Sequence, residues 1–338
     1  PAMRRGVPTV QASGGRQGAN ADDDDRGKGG ERKEDIETEN IFGFTEGSDT
    51  VKAGEKELAN DLRGRFGKRH AVRIIEQEAE HEDDPPPPPI IVAPRGSYVA
   101  FNNVTELEYG ITDNLRFALG VASAYYYVRN IFELENRNNG GFDGLSTEFK
   151  WRLLERGPSP IGLAIAVEPE WRRFEETSGA PATVVSLGLK LQADAALIPD
   201  VLFAALNLIY EPEASKQRGG GRFEFEDDEG TLTFEPFRWE RESSLEASGA
   251  LAARVTETIF LGAELRYLTT YEGLFFREFE GRALFVGPTF FAKLSEHAFV
   301  KAAWSVQVAG KAAEDPGHDL DLVNYERHQV RVKFGVNF

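Results

Sequence analysis

The sequence predicts an all-β protein: a single transmembrane antiparallel up-and-down β-barrel of about twelve strands, preceded by a disordered N-terminal tail. Three observations carry that prediction. Apolar residues alternate with small or charged ones over long stretches, as the period-2 geometry of a strand requires. The alternating segments run to about 10–14 residues, whereas globular strands average about five or six and a tilted membrane-spanning strand needs about 9–11. The connections between them are short and long by turns, the pattern of a barrel with tight turns at one rim and large loops at the other.

Composition bounds the alternatives. The chain has 338 residues, 41% hydrophobic and 28% charged, with 34 Gly, 17 Pro, no Cys and a formal net charge of −17. That charge excludes electrostatic nucleic-acid binding as a main activity, because neutralising phosphates takes a clustered excess of Lys and Arg. The lack of Cys removes disulfide scaffolds, thiolate zinc sites and thiol nucleophiles together. No apolar run approaches the roughly 20 residues of a transmembrane helix, which says nothing against strands that spread their apolar residues singly along one face. A soluble acidic β protein is the alternative at the level of class.

Taken in order, residues 1–38 are rich in Gly, Arg, Asp and Glu, with almost no large apolar side chain, and include the run Asp22-Asp23-Asp24-Asp25. Such a segment cannot bury enough apolar surface to offset its ordering entropy, so a disordered tail is expected. The barrel is expected over residues 39–338. Its predicted strands are Glu55–Phe66, Tyr98–Tyr109, Leu115–Val128, Asp143–Leu154, Ile161–Phe174, Ala182–Ala193, Val201–Tyr210, Trp239–Val255, Thr258–Leu268, Arg282–Leu294, Ala298–Val308 and Leu320–Phe338. In the fourth, Leu145, Phe149, Trp151 and Leu153 face one way, while Ser146, Glu148, Lys150 and Arg152 face the other. In Val201–Tyr210 both faces are apolar and the parity stays open.

The even-numbered connections, Gly110–Asn114, Glu155–Pro160, Asp194–Asp200, Thr256–Glu257 and Ser295–His297, are short. The odd-numbered ones include Gly67–Pro94, Arg129–Gly141, Glu211–Phe237, Thr270–Gly281 and Ala309–Asp319, with Glu175–Pro181 as the short exception. The long loop 67–94 holds an acidic run, Glu76 to Asp84, and five prolines, Pro85 to Pro89, expected to form an extended spacer. A second long loop is expected over 211–237. Bacterial barrels carry short turns on the periplasmic side, which puts both termini there.

The C-terminus alternates through Val330, Val332, Phe334, Val336 and Phe338 and ends on an aromatic residue. That pattern resembles the terminal β-signal of proteobacterial outer-membrane barrels, which the barrel-assembly machinery recognises. From Glu39 onward the chain is similar to a family of such barrels, on the strength of Glu39–Asp49, Ala303–Gly310 and the closing Phe-Gly-Val-Asn-Phe. The resemblance implies the fold, the outer membrane of a Gram-negative cell, contact with outer-membrane lipid and lipopolysaccharide, and assembly through the C-terminal strand. It implies no activity.

The parity opposite the apolar face predicts a charged lumen. Its candidate pore-lining residues are Glu106, Arg116, Glu148, Lys150, Arg152, Glu168, Glu170, Arg172, Lys190, Glu246, Glu264, Arg266, Lys293, Lys301, Arg331 and Lys333. With both signs interspersed they form either a cross-strand lattice or the lining of a wet path, and no selectivity follows from them. Catalytic constellations are meagre: of His70, His81, His297, His318 and His328 only the last lies on a predicted strand, with no Ser and polar partner placed beside it. Asp315, His318, Asp319 and Asp321 read equally as a solvated loop or an adventitious cation site. The expectation is therefore a passive channel for small solutes, with no enzymatic activity, no cofactor, no metal and no nucleic-acid partner. The alternative is a structural or surface-interaction barrel with a plugged lumen.

Overall fold

The computed structural model describes residues 36–75, 90–225 and 232–338. The tail before residue 36, the acidic run and the proline run lie outside the described residues. The strands are β1 (Lys56–Phe66), β2 (Arg73–Ile75), β3 (Ile90–Val92), β4 (Ser97–Thr112), β5 (Leu115–Arg129), β6 (Arg137–Leu154), β7 (Gly162–Phe174), β8 (Pro181–Ile198), β9 (Leu202–Gln217), β10 (Gly221–Phe225), β11 (Leu232–Pro236), β12 (Glu240–Arg254), β13 (Ile259–Glu272), β14 (Glu278–Lys293), β15 (Ala298–Ala312) and β16 (His328–Asn337). Twelve of them, β1, β4 to β9 and β12 to β16, close into one antiparallel barrel. The seam is β1, which pairs with β4 on one side and β16 on the other. At its base the backbone of Phe338 exchanges two hydrogen bonds with Lys56, at 2.8 and 3.0 Å. The remaining strands form two separate hairpins, β2–β3 and β10–β11, in the long connections.

Each of the twelve predicted strands corresponds to one barrel strand, and the short connections fall at one rim. At the other rim the strands overrun the prediction. β9 continues to Gln217, where a loop from Glu211 was expected, and β6 begins at Arg137 rather than Asp143. The connections expected over Arg129–Gly141 and Thr270–Gly281 shrink accordingly to 130–136 and 273–277. The overrun residues are polar on both faces, as in Glu211–Gln217, so they carry no period-2 signal although they continue the ladder. β16 errs the other way: it starts at His328, not Leu320, because residues 320–327 turn back over the rim with Asp321 accepting from the Asn324 N–H at 2.9 Å.

Burial alternates regularly where the strands cross the apolar belt. On β5 every second residue from Arg116 to Val128 is buried, while Leu119, Val121 and Tyr125 between them are exposed. The same holds around the wall, where Leu187, Leu189 and Leu191 of β8, Leu206 and Leu208 of β9, and Leu261 and Leu265 of β13 point outward and stay uncovered. A belt of that size is the outer surface of a barrel embedded in lipid, where closure of the sheet satisfies every wall N–H and C=O internally.

Candidate functional site

The buried side of the wall encloses a lumen whose lower half, towards the short-turn rim, contains the chain's own leading segment. Residues 36–55 have no regular secondary structure. Residues 38–50 run inside the barrel, anchored by their apolar side chains, and the exposed residues 52–55 pass the short-turn rim before the chain enters β1. Ile41 and Phe42 are fully buried against Phe203 and Ala205 of β9, Ala250 and Ala252 of β12, and Phe260 of β13. This explains why β9 is apolar on both faces: Leu206 and Leu208 meet lipid, whereas Phe203 and Ala205 meet the segment.

Polar contacts surround the anchor. The N–H groups of Phe44 and Thr45 donate to Glu264 at 2.8 and 3.2 Å, and the Ser48 N–H donates to Asp194 at 2.6 Å. Arg331 donates to the carbonyls of Gly43 and Phe44 at 3.1 and 3.3 Å, and Lys150 to that of Gly47 at 2.8 Å. Three acids of the segment enter the wall's cation lattice. Glu39 pairs with Arg116 and Lys150, Glu46 with Arg331 at 3.1 Å, and Asp49 with Arg152 and Arg156 at 3.4 and 3.2 Å. The Phe44 ring lies under the Arg266 guanidinium, 4.0 Å from its carbon to the centroid, a cation–π contact.

The remaining predicted wall charges fall mostly into small networks. Arg116 binds Glu39, Glu108 and Glu148 at once, and Lys190 bridges Glu148 and Glu168, both at 2.6 Å. Arg266 holds Glu246 bidentately, both bonds at 2.9 Å, and Lys333 lies 3.2 and 3.3 Å from Glu57 and Glu108. Arg172 contacts Glu170 at 3.3 Å and also pairs with Glu213. Glu106 lines the cavity beside Glu108. Lys293 stands apart at the short-turn rim, where it pairs with Glu296 at 3.0 Å. Lys301 is 1% exposed, and its ammonium makes no hydrogen bond among the described residues.

A second inward feature sits near the other rim. The turn after β7 folds into the mouth: Thr177 O accepts from Tyr98 Oη at 2.8 Å, and Glu176 O from Arg65 at 2.7 Å. Gly179, at φ +66°, lies against the Tyr126 ring so closely that a Cβ would fall 2.3 Å from it. The Glu176 carboxylate reaches Arg65 at 3.1 Å and Arg172 at 3.2 Å. The Arg65 guanidinium beside it, opposed by burial and helped by Arg172, holds its carboxyl at about 2.

Between turn and segment the barrel is hollow. A cavity of about 750 Å³ fills the upper half, its walls including Glu211, Glu213, Glu242, Glu246 and Arg65, and a narrower space of about 280 Å³ continues beneath it. Phe44, at the tip of the leading segment, lines both. Sequence reasoning missed Glu39, Glu46, Asp49 and Arg156 as lumen groups, because a segment without periodicity and a residue expected in a turn carry no parity. The double apolar face of β9 was the signal that something packs inside. His328 packs beside the Trp304 ring at 5.9 Å, and the His318 ring nitrogen pairs with Asp315 at 2.7 Å. Among the described residues no three His, Cys, Asp or Glu side chains are grouped to hold a metal ion.

Comparison with known proteins gives a family and a fold. Residues 93–338 match a family described as a family of unknown function (DUF6662). No curated protein matches the sequence. The solved COG4313 outer membrane channel from Pseudomonas putida F1 is similar with a TM-score of 0.51 at 11% identity, covering 86% of this chain and 98% of that one. The beta domain of the Bordetella autotransporter Brka follows at 0.47 and 11% identity, covering 84% and 100%. The translocator domain of the autotransporter NalP from Neisseria meningitidis follows at 0.45 and 13%, covering 86% and 91%. The first of these shares the barrel fold with this chain.

Proposed function

The chain belongs to the DUF6662 family, of unknown function, and on that footing we propose that it is an outer-membrane channel for small solutes. The observation that carries the reading is the cavity of about 750 Å³ inside a closed, lipid-facing barrel, bounded by charged side chains rather than by a packed apolar core. An interior of that kind holds water, and water beside fixed charges is the medium in which small polar solutes move through barrels. In this reading the wall charges from Glu106 to Lys333 named above line the path, apart from Lys293 at the rim. The short-turn rim and both ends of the barrel domain face the periplasm. The outward row Val330, Val332, Phe334, Val336 and Phe338 serves recognition by the barrel-assembly machinery, and the opposite rim meets lipopolysaccharide.

One observation favours a second reading. Residues 36–50 occupy the lower lumen, as they would in a structural barrel with a permanent plug. Conductance in planar lipid bilayers separates the two. A channel gives discrete current steps from the full chain or from a variant lacking residues 36–50. Silence from both, with each still migrating on gels as a heat-modifiable barrel, would remove the channel reading.

A further inference from the structure

We propose that residues 36–50 are a displaceable plug, the gate of this channel rather than a fixed part of its wall. The inference rests on the channel reading above and adds what opens it. Two features of the segment support it.

The barrel closes without the segment. β1 pairs with both β4 and β16, and the segment contributes no strand to that ladder, so withdrawing it breaks no inter-strand hydrogen bond. Its contacts with the wall are instead side-chain pairs, hydrogen bonds between its backbone and wall side chains, and one apolar anchor. Carboxylate–guanidinium pairs can be replaced by water and counter-ions when the segment leaves, unlike the ladder bonds of a strand in lipid.

The segment also stands where solute must pass. Phe44 lines the floor of the upper cavity and the space below it, and Ile41 and Phe42 fill the wall pocket beneath. Its fit there is close: a Cβ on Gly43 would fall 2.6 Å from Thr289 Cγ2, 2.7 Å from Glu264 Oε2 and 2.8 Å from Ala303 Cβ.

The test uses a cross-link. Thr45 Oγ1 and Ser248 Oγ lie 3.1 Å apart, one on the segment and one on β12, and the chain has no cysteine of its own. In a T45C/S248C variant, oxidation should join the two thiols and lower bilayer conductance at least tenfold, with recovery on reduction. A Gly43→Val variant, crowded out of its seat, should conduct more than the parent. Equal conductance of the oxidised and reduced forms, with the cross-link verified by thiol counting, would overturn the gate and leave the channel standing. Thiols that fail to join would overturn it as well, because the segment would not sit there. Silence from the reduced pair, from Gly43→Val and from the variant lacking residues 36–50 would overturn the channel reading and the gate with it.

Discussion

Arg116 is where the lumen is most tightly knit. One guanidinium serves Glu39 from the leading segment, Glu108 from β4 and Glu148 from β6, all nearly inaccessible to solvent. Replacing it with Met leaves three buried carboxylates without their shared cation, and breaking a buried pair from one side costs about 3–5 kcal/mol. Denaturant titration of the refolded R116M barrel against the parent measures that loss. Glu176 gives a pH dependence. Its carboxyl is depressed from an ordinary 4.5 to about 2 in the folded protein, so its contribution is complete above pH 4.5 and is lost as pH falls through about 2. The side chain is half exposed, so the effect is local. The turn after β7 should resist proteolysis at pH 4 and become cleavable near pH 2, and an E176Q variant should be cleavable at both. On the lipid face, Leu189 is 39% exposed between Val167 and Tyr210. Leu189→Arg should lower stability by about 2–4 kcal/mol in a lipid-refolded barrel. Neighbouring Lys190 is no neutral control for it, because it bridges Glu148 and Glu168.

Among the elements, the leading segment is held by its Ile41–Phe42 anchor. Truncating a fully buried Phe to Ala costs about 3–5 kcal/mol, and here the cost falls on the seat rather than on the barrel. In F42A the amides of Thr45 and Ser48, which donate to Glu264 and Asp194, should exchange with deuterium at least a hundredfold faster than in the parent. Strand amides such as those of β5 should be unchanged. The same segment marks the limit of what sequence could reveal. Every barrel strand was legible, because a wall between lipid and water imposes period-2 alternation on strands long enough to cross a membrane. The lumen contents were not, because Glu39 finds Arg116 77 residues away and Phe44 finds Glu264 220 residues away, without any local pattern. Strand ends near the long connections were equally silent, since Glu211–Gln217 leaves the apolar belt and loses its alternation while keeping its hydrogen bonds.

On the scale of the whole molecule, the acidity of the chain acquires a location. Many of the glutamates lie on or around the lumen, where the lower half pairs them with Arg116, Lys150, Arg331 and Lys333, while the upper cavity carries Glu211, Glu213 and Glu242. The barrel is thus apolar outside, ionic inside, hollow above and filled below by its own chain. Those features together are what the proposal of a channel with a plug rests on. Bilayer conductance of the full chain and of a variant lacking residues 36–50 tests that most directly. A plugged channel gives discrete steps, larger or more frequent when the segment is removed. Two folded, inserted barrels that both stay silent across voltages would contradict it.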